Sequence, residues 1–238
     1  MILSGINHIA IIMDGNRRFA KRLMAEPWRG HELGAGKVKE VLEWCKEAGI
    51  KYITLYTLSM QNLFSRPKQE LDFILNKIKE EFSAILNDPF SDVHKYKIRV
   101  NVFGRIYLLP EDVQAVIKNV MDATKDYSDY MISFAIAYGG QEEIVDAVRS
   151  IAEKIRNGTL APEKINEDVI RHSLYTNGIP YPDIIIRTGG EKRLSNFLLW
   201  QCAYSELFFV DKMWPEFSKD DFLAVLEEFK QRERRFGR

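Results

Sequence analysis

The sequence predicts an α/β fold, a single domain with a central, mostly parallel six-stranded sheet flanked by helices. Short β-branched and apolar runs alternate with longer stretches of helical periodicity. The short runs are near-continuously apolar, which fits strands buried on both faces of a parallel sheet. The 238 residues contain no internal repeat and no low-complexity linker, so residues 1–238 read as one domain.

In chain order, strands are expected at 9–13, 52–57, 98–103, 132–137, 184–187 and 207–210. Helices are expected near 34–48, 68–87, 111–126, 140–157, 166–175 and 219–234. Pro67 and Pro110 suit the first turns of the second and third helices. Gly49 and Gly158 stop the first and fourth. Ser218 with Asp221 can cap the last. Residues 157–163 read as a surface loop. The second helix carries an apolar stripe through Leu71, Ile74, Leu75, Ile78, Phe82, Ile85 and Leu86, suited to packing on a sheet or to walling an apolar tunnel.

Composition narrows the functional classes. Lysine plus arginine equals aspartate plus glutamate at 34 each, so no basic excess points to nucleic acid. Cys45 and Cys202 match no metal spacing and sit among apolar residues, as buried free thiols of a reducing compartment would. No apolar run reaches bilayer-spanning length, and "MILSGINH" lacks signal-peptide organisation. A cytoplasmic protein is expected, with peripheral membrane contact left open.

The chemistry gathers in three polar stretches, each following an expected strand. "MDGNRR" follows the first, "SMQNLFSR" the second and "RTGGEKRLSN" the fifth. Asp-Gly alone is an ordinary turn signal. Three arginine-bearing stretches at the carboxyl ends of strands in one open sheet share the rim where ligands bind. Arginine makes forked bonds to phosphate oxygens, glycine lets backbone N–H groups approach, and Asp14 offers a carboxylate to Mg²⁺. "GHELGAGK" at 30–37 is not a P-loop, because His31 and Val38 stand where glycine and Ser or Thr are required.

These stretches, with "GHELG", "YITLYTLS", "AYGGQEEI", "SNFLLWQCAYSELFFVDKMWPEF" and "RERRFG", make the chain similar to the cis-prenyltransferases, the undecaprenyl and dehydrodolichyl diphosphate synthase family, over residues 8–237. The resemblance implies coupling of an allylic prenyl diphosphate to isopentenyl diphosphate, a deep apolar tunnel, Mg²⁺ as cofactor and a homodimer. It implies that Asp14 binds the metal, and that Gly15, Asn16, Arg17, Arg18 and His31 hold the allylic diphosphate. Ser59, Asn62 and Arg66 would orient the acceptor, and Arg187, Arg193 and Ser195 would hold the second diphosphate. Glu206 would aid the metal or the site, and Arg235 and Gly237 would reach across the dimer.

Pro27 stands where relatives often carry an arginine, and Arg29 is the nearby substitute. Gln61 replaces a usual glutamate, and one extra residue separates Asn62 from Arg66. The altered acceptor stretch opens an alternative, irregular head-to-middle coupling with dimethylallyl diphosphate as acceptor. A non-catalytic supporting subunit is a further alternative, disfavoured by the intact Asp14 and Asn16.

Overall fold

The computed structural model describes residues 5–232. Its elements run β1 (His8–Ile12), α1 (Asn16–Arg22), α2 (Pro27–Ala48), β2 (Tyr52–Ser59), α3 (Met60–Ser65), α4 (Lys68–Asn87) and α5 (Asp92–Lys95). Then follow β3 (Ile98–Phe103), α6 (Glu111–Thr124), β4 (Tyr130–Tyr138), α7 (Gly140–Arg156), α8 (Glu167–Ser173), β5 (Ile184–Arg187), β6 (Glu206–Phe209) and α9 (Lys219–Gln231). The six strands form one sheet in the order β3-β4-β2-β1-β5-β6, and every pairing is parallel.

β1 lies between β2 and β5, with Ile12 opposite Arg187. After β1 the chain builds outward through β2; only after β4 does it cross to β5. The strand order reverses here, so a crevice opens beyond the carboxyl ends of β1 and β5. All five residues of β1 are buried, as are all four of β5. One sheet face packs Ile9, Ile11, Leu55 and Ile132 with residues of α2, α4, α6 and α9. The other packs Ala10, Tyr56 and Tyr138 against Phe197, Leu198 and Ile179.

The strands match the expected runs closely, with β3 and β5 at the same bounds. Four helical segments differ, the shortest being α5, one turn at Asp92–Lys95 where no helix was expected. Residues 16–22 form α1, and "SMQNLFSR" is the short helix α3 rather than a loop. α2 starts at Pro27, a full two turns before 34, with Pro in its first turn. "GHELGAGK" thus lies wholly inside a helix, which leaves it no phosphate loop to form. Cys45 is buried and free, whereas Cys202 is free but only partly buried. The Ser218–Asp221 box caps α9, with the Ser218 N–H donating to Asp221 Oδ2 at 2.9 Å. No described helix is long and apolar enough to cross a membrane.

Candidate active site

β1 ends and the chain turns sharply at Gly15, whose φ of 105° lies in the left-handed region. A Cβ there would sit 2.7 Å from Met213 Cβ. The turn leaves Asp14 at the strand end and starts α1 at Asn16. Thr188, fully buried, clamps Asp14 from β5: its hydroxyl accepts the Asp14 N–H at 3.1 Å and donates to the Asp14 carbonyl at 2.8 Å. The Trp214 N–H also donates to that carbonyl, at 2.9 Å.

α1 packs on α2 through the glycines of "GHELG". A Cβ on Gly30 would lie 2.0 Å from the Asn16 carbonyl oxygen, and one on Gly34 2.5 Å from Asn16 Oδ1. Both glycines are needed for this close approach, and they stand one helical turn apart on one face. The indole of Trp214 donates to the Gly34 carbonyl at 2.8 Å, locking the same junction.

Two carboxylates organise the cations. Arg187 Nη2 donates to Asp14 Oδ2 at 2.7 Å, and Arg18 Nη2 lies 3.4 Å from Oδ1. Burial raises the Asp14 pKa, but the bond and charge of Arg187, with help from the Gly15 N–H and Arg18, outweigh it and hold it below the usual carboxylate range. The second carboxylate is Glu70, buried in the first turn of α4. It takes a hydrogen bond with His31 Nε2 at 3.0 Å, pairs with Arg66 and lies 3.6 Å from Arg17 Nε. Burial pushes its pKa up, and His31, Arg66 and Arg17 more than reverse that. Burial, then the Arg66 charge, lowers the pKa of His31 despite Glu70.

The third stretch curls over Arg187. Arg187 Nη1 donates to Ser195 Oγ at 2.7 Å and to the Arg193 carbonyl. Ser195 and Asn196 are both left-handed, at φ 51° and 65°. Such strain persists where surrounding bonds over-determine it. Asn196 supplies them: its carbonyl accepts Gly140 N–H at 2.7 Å and its Oδ1 accepts Gln141 N–H at 2.8 Å. Ser59 caps α3 by accepting the Asn62 N–H at 3.0 Å.

Asp14, Asn16, Arg17, His31, Ser59, Asn62, Arg66, Arg187, Arg193 and Ser195 all line one cavity of about 1060 Å³. From this polar mouth it runs between the sheet and α2 and α4. Ile136, Phe134 and Ile132 of β4, Val100 and Ile98 of β3, and Ile74, Ile78, Phe82 and Ile85 of α4 line it. Ile136 to Ile132 alone spans about 13 Å at roughly 3.3 Å per residue. The α4 stripe therefore does both things its periodicity allowed. Three polar atoms at the mouth are buried without a partner: Asn16 Oδ1, Arg66 Nε and Arg187 Nε. The two arginine N–H groups are donors, ordinarily satisfied when buried, so they mark where a ligand's oxygens belong; Asn16 Oδ1 is an acceptor and takes a donor instead.

The undecaprenyl diphosphate synthase family model matches residues 12–237. The chain is 51% identical, over 97% of its length and 84% of the relative's, to a tritrans,polycis-undecaprenyl-diphosphate synthase (geranylgeranyl-diphosphate specific) of Methanopyrus kandleri. It is 50% identical to the protein of that name in Pyrococcus horikoshii, over 100% of this chain and 89% of the other. Lavandulyl diphosphate synthase of Lavandula x intermedia, in complex with dimethylallyl diphosphate, superposes with a TM-score of 0.92 at 35% identity, covering 98% of both chains. A probable undecaprenyl diphosphate synthase of Campylobacter jejuni gives 0.80 at 30% identity, covering 99% of this chain and 100% of that one.

The chain belongs to the cis-prenyltransferase family. It is a prenyltransferase, with the fold those solved relatives share.

Within this cis-prenyltransferase, four expected residues do not line the cavity: Gly15 and Arg18, which stay beside Asp14, and Arg29 and Glu206, which stand further off. Arg29 is exposed on α2, pairs with Glu32 at 2.8 Å and does not line the cavity. Glu206 begins β6, opposite Ile184, while Arg187 is opposite Phe209 at the far end. Three residues of strand, about 10 Å, separate it from the Asp14 rim. Its carboxylate instead accepts from Arg232 Nη1 at 2.7 Å. Within one chain Glu206 therefore cannot share a metal with Asp14. Arg235 and Gly237 lie outside the described residues. Glu70, Thr188, Asn196 and Trp214 were missed by sequence reasoning. The Arg66–Glu70 spacing, one helical turn, was the available signal for Glu70.

Among the described residues no three His, Cys, Asp or Glu side chains cluster as a metal site. Asp14 is held ionised and lines the cavity beside the arginine donors. That donor set fits Mg²⁺, which takes one or two carboxylates and completes its shell with phosphate oxygens and water.

Proposed function

We propose that this enzyme extends an allylic prenyl diphosphate of the geranylgeranyl class with isopentenyl diphosphate, forming cis double bonds and a polyprenyl diphosphate for use as a glycosyl-carrier lipid. The carrying observation is the single cavity that joins an arginine-lined mouth to a long apolar interior. The relatives near 50% identity bear geranylgeranyl-specific names, which supports the same starter here.

Arg17, Arg18 and the Asn16 turn receive the allylic diphosphate beside Asp14. Arg187, Arg193 and Ser195 receive the acceptor's diphosphate, and Ser59 and Asn62 on α3 orient its double bond. Asp14 would hold Mg²⁺, which when bound supplies charge neutralisation to the departing diphosphate. The arginines add to that stabilisation as the allylic C1–O bond breaks. The acceptor's C3=C4 pair forms the new bond from C4 to C1. The C2 proton leaves, and its electron pair makes the C2=C3 double bond. Asn62 has no basic nitrogen and His31 Nε2 is engaged by Glu70 and Arg66. The departing diphosphate's oxygen is therefore the proton's acceptor in this reading. Both heads are fixed at one rim, which places the reacting carbons together. The growing tail enters the cavity, where burial contributes about 0.8 kcal/mol per CH₂. A homodimer is part of the reading, and any role for Glu206 at a metal would need a second copy.

The second reading is irregular coupling to dimethylallyl diphosphate. The close superposition on lavandulyl diphosphate synthase and the altered "SMQNLFSR" helix favour it. Mass spectrometry of products from geranylgeranyl diphosphate, Mg²⁺ and each acceptor separately decides. Elongated products with isopentenyl diphosphate alone support regular synthesis. Branched single-condensation products with dimethylallyl diphosphate overturn it.

A further inference from the structure

The far end of the cavity is formed by the connection from α4 to β3: Asp88, Ser91, Asp92 and Val93 line it from within. The outer side of this connection has a different character. Phe90 at its tip is 88% exposed, beside exposed Pro89 and half-buried Leu86. Lys95 and Lys97 are both exposed, and among the described residues neither has a carboxylate partner. Each lies over an aromatic face instead, Lys95 Nζ 4.9 Å from the centre of Tyr96 and Lys97 Nζ 4.8 Å from that of Tyr127. Asp88 is turned back on its own loop, its Oδ1 accepting the Phe90 N–H at 2.9 Å. His94 braces the connection, Nε2 to the Ile85 carbonyl and Nδ1 to the Tyr127 hydroxyl, both at 2.9 Å.

The exposed Asp92 also lines the cavity. An exposed aromatic, with two lysines laid along tyrosine rings beside it, has an apolar body at a surface with cations on one side. That combination suits the boundary between acyl chains and anionic headgroups. The inner side of the same connection lines the far end of the cavity. We propose that this connection, with Phe90 at its tip and Lys95 and Lys97 beside it, is the face that docks on an anionic lipid bilayer. The proposal rests on the polyprenyl-synthase reading for its purpose, delivery of an apolar product, but its test does not.

The test is flotation of the purified protein, without substrate, on vesicles of phosphatidylcholine alone and of equimolar phosphatidylcholine and phosphatidylglycerol. Wild type is expected to float with the anionic vesicles and to release at high salt. Phe90→Ser and the pair Lys95→Glu with Lys97→Glu should each lower the bound fraction about fivefold or more. Leu223→Ser, on exposed α9, should leave it unchanged. Circular dichroism confirms that each variant is folded. No binding by wild type overturns the proposal, as does binding by the Phe90 and lysine variants at the wild-type level, or an equal loss in Leu223→Ser. Vesicle binding with no prenyl transfer would instead fail the polyprenyl reading alone.

Discussion

The two ends of the parallel sheet handle buried polar groups in opposite ways. At the amino end, His8 is fully enclosed, its Nδ1 2.6 Å from the Pro180 carbonyl and its Nε2 2.8 Å from Thr54 Oγ1. Asp183 takes the N–H groups of Asn7 and His8, and Arg232 pairs with Glu206 and Glu228. At the carboxyl end, Arg66, Arg187 and Asn16 each keep a buried atom with no partner. Leaving such a group unpaired costs about 1–3 kcal/mol. Around His8, Asp183 and Arg232 the chain itself supplies the partners. At the mouth the free arginine N–H groups are completed only when a ligand arrives.

Asp14→Asn should break this contrast most visibly. It keeps the shape of the turn and removes the charge facing Arg187. Turnover is expected to fall about a thousandfold while far-UV circular dichroism is unchanged. Near-normal turnover would remove Asp14 from the metal assignment. Glu70→Gln leaves Arg66 buried without its counter-charge. It is expected to lower stability by about 3 kcal/mol in denaturant unfolding, with KM for the allylic diphosphate rising about tenfold.

The amino end should answer to pH instead of to substrate. Burial first, against the Pro180 bond and the Asp183 charge, lowers the His8 pKa from 6.5 to about 4. The unfolded chain therefore binds the extra proton between those values, and stability falls as pH drops from 6.5 to 4. The accumulated loss is roughly 3 kcal/mol. Denaturant midpoints measured across that range should flatten in His8→Gln. The smallest expected loss is that of Gly34→Ala, which crowds Asn16 and Trp214 and costs about 1–3 kcal/mol by overpacking. Its KM should rise as Asn16 shifts, whereas Gly36→Ala, exposed inside α2 with open space around it, should leave KM unchanged and raise stability by about 0.5–1 kcal/mol.

The sheet was readable because strands buried on both faces carry unbroken apolar runs. The short helices α1 and α3 were not, because Asn16, Arg17, Arg18, Gln61 and Asn62 serve the site and erase the periodicity. The glycines that admit Asn16 disguised the first turns of α2. Asp14, Arg187 and Ser195 were legible from residue type and position after strands. Glu70 was not: an acid in a first helical turn is ordinary dipole chemistry, and only the fold brings His31 and Arg17 to it. Glu206 was expected from the resemblance alone, and only the fold shows that it begins β6, at the end of the sheet away from Asp14.

The central place of β1 also governs how the molecule is made. Its partner β5 begins at Ile184, and the Trp214 that fastens Asp14 lies further on. A ribosome must therefore deliver nearly the whole chain before the anion pocket can close. Until then one edge of a strand that is apolar from Ile9 to Ile12 is unpaired, a template for wrong pairing. Slow translation or truncation ahead of residue 184 would yield a chain that cannot bind its substrates and is prone to aggregate, so activity itself reports that synthesis was completed.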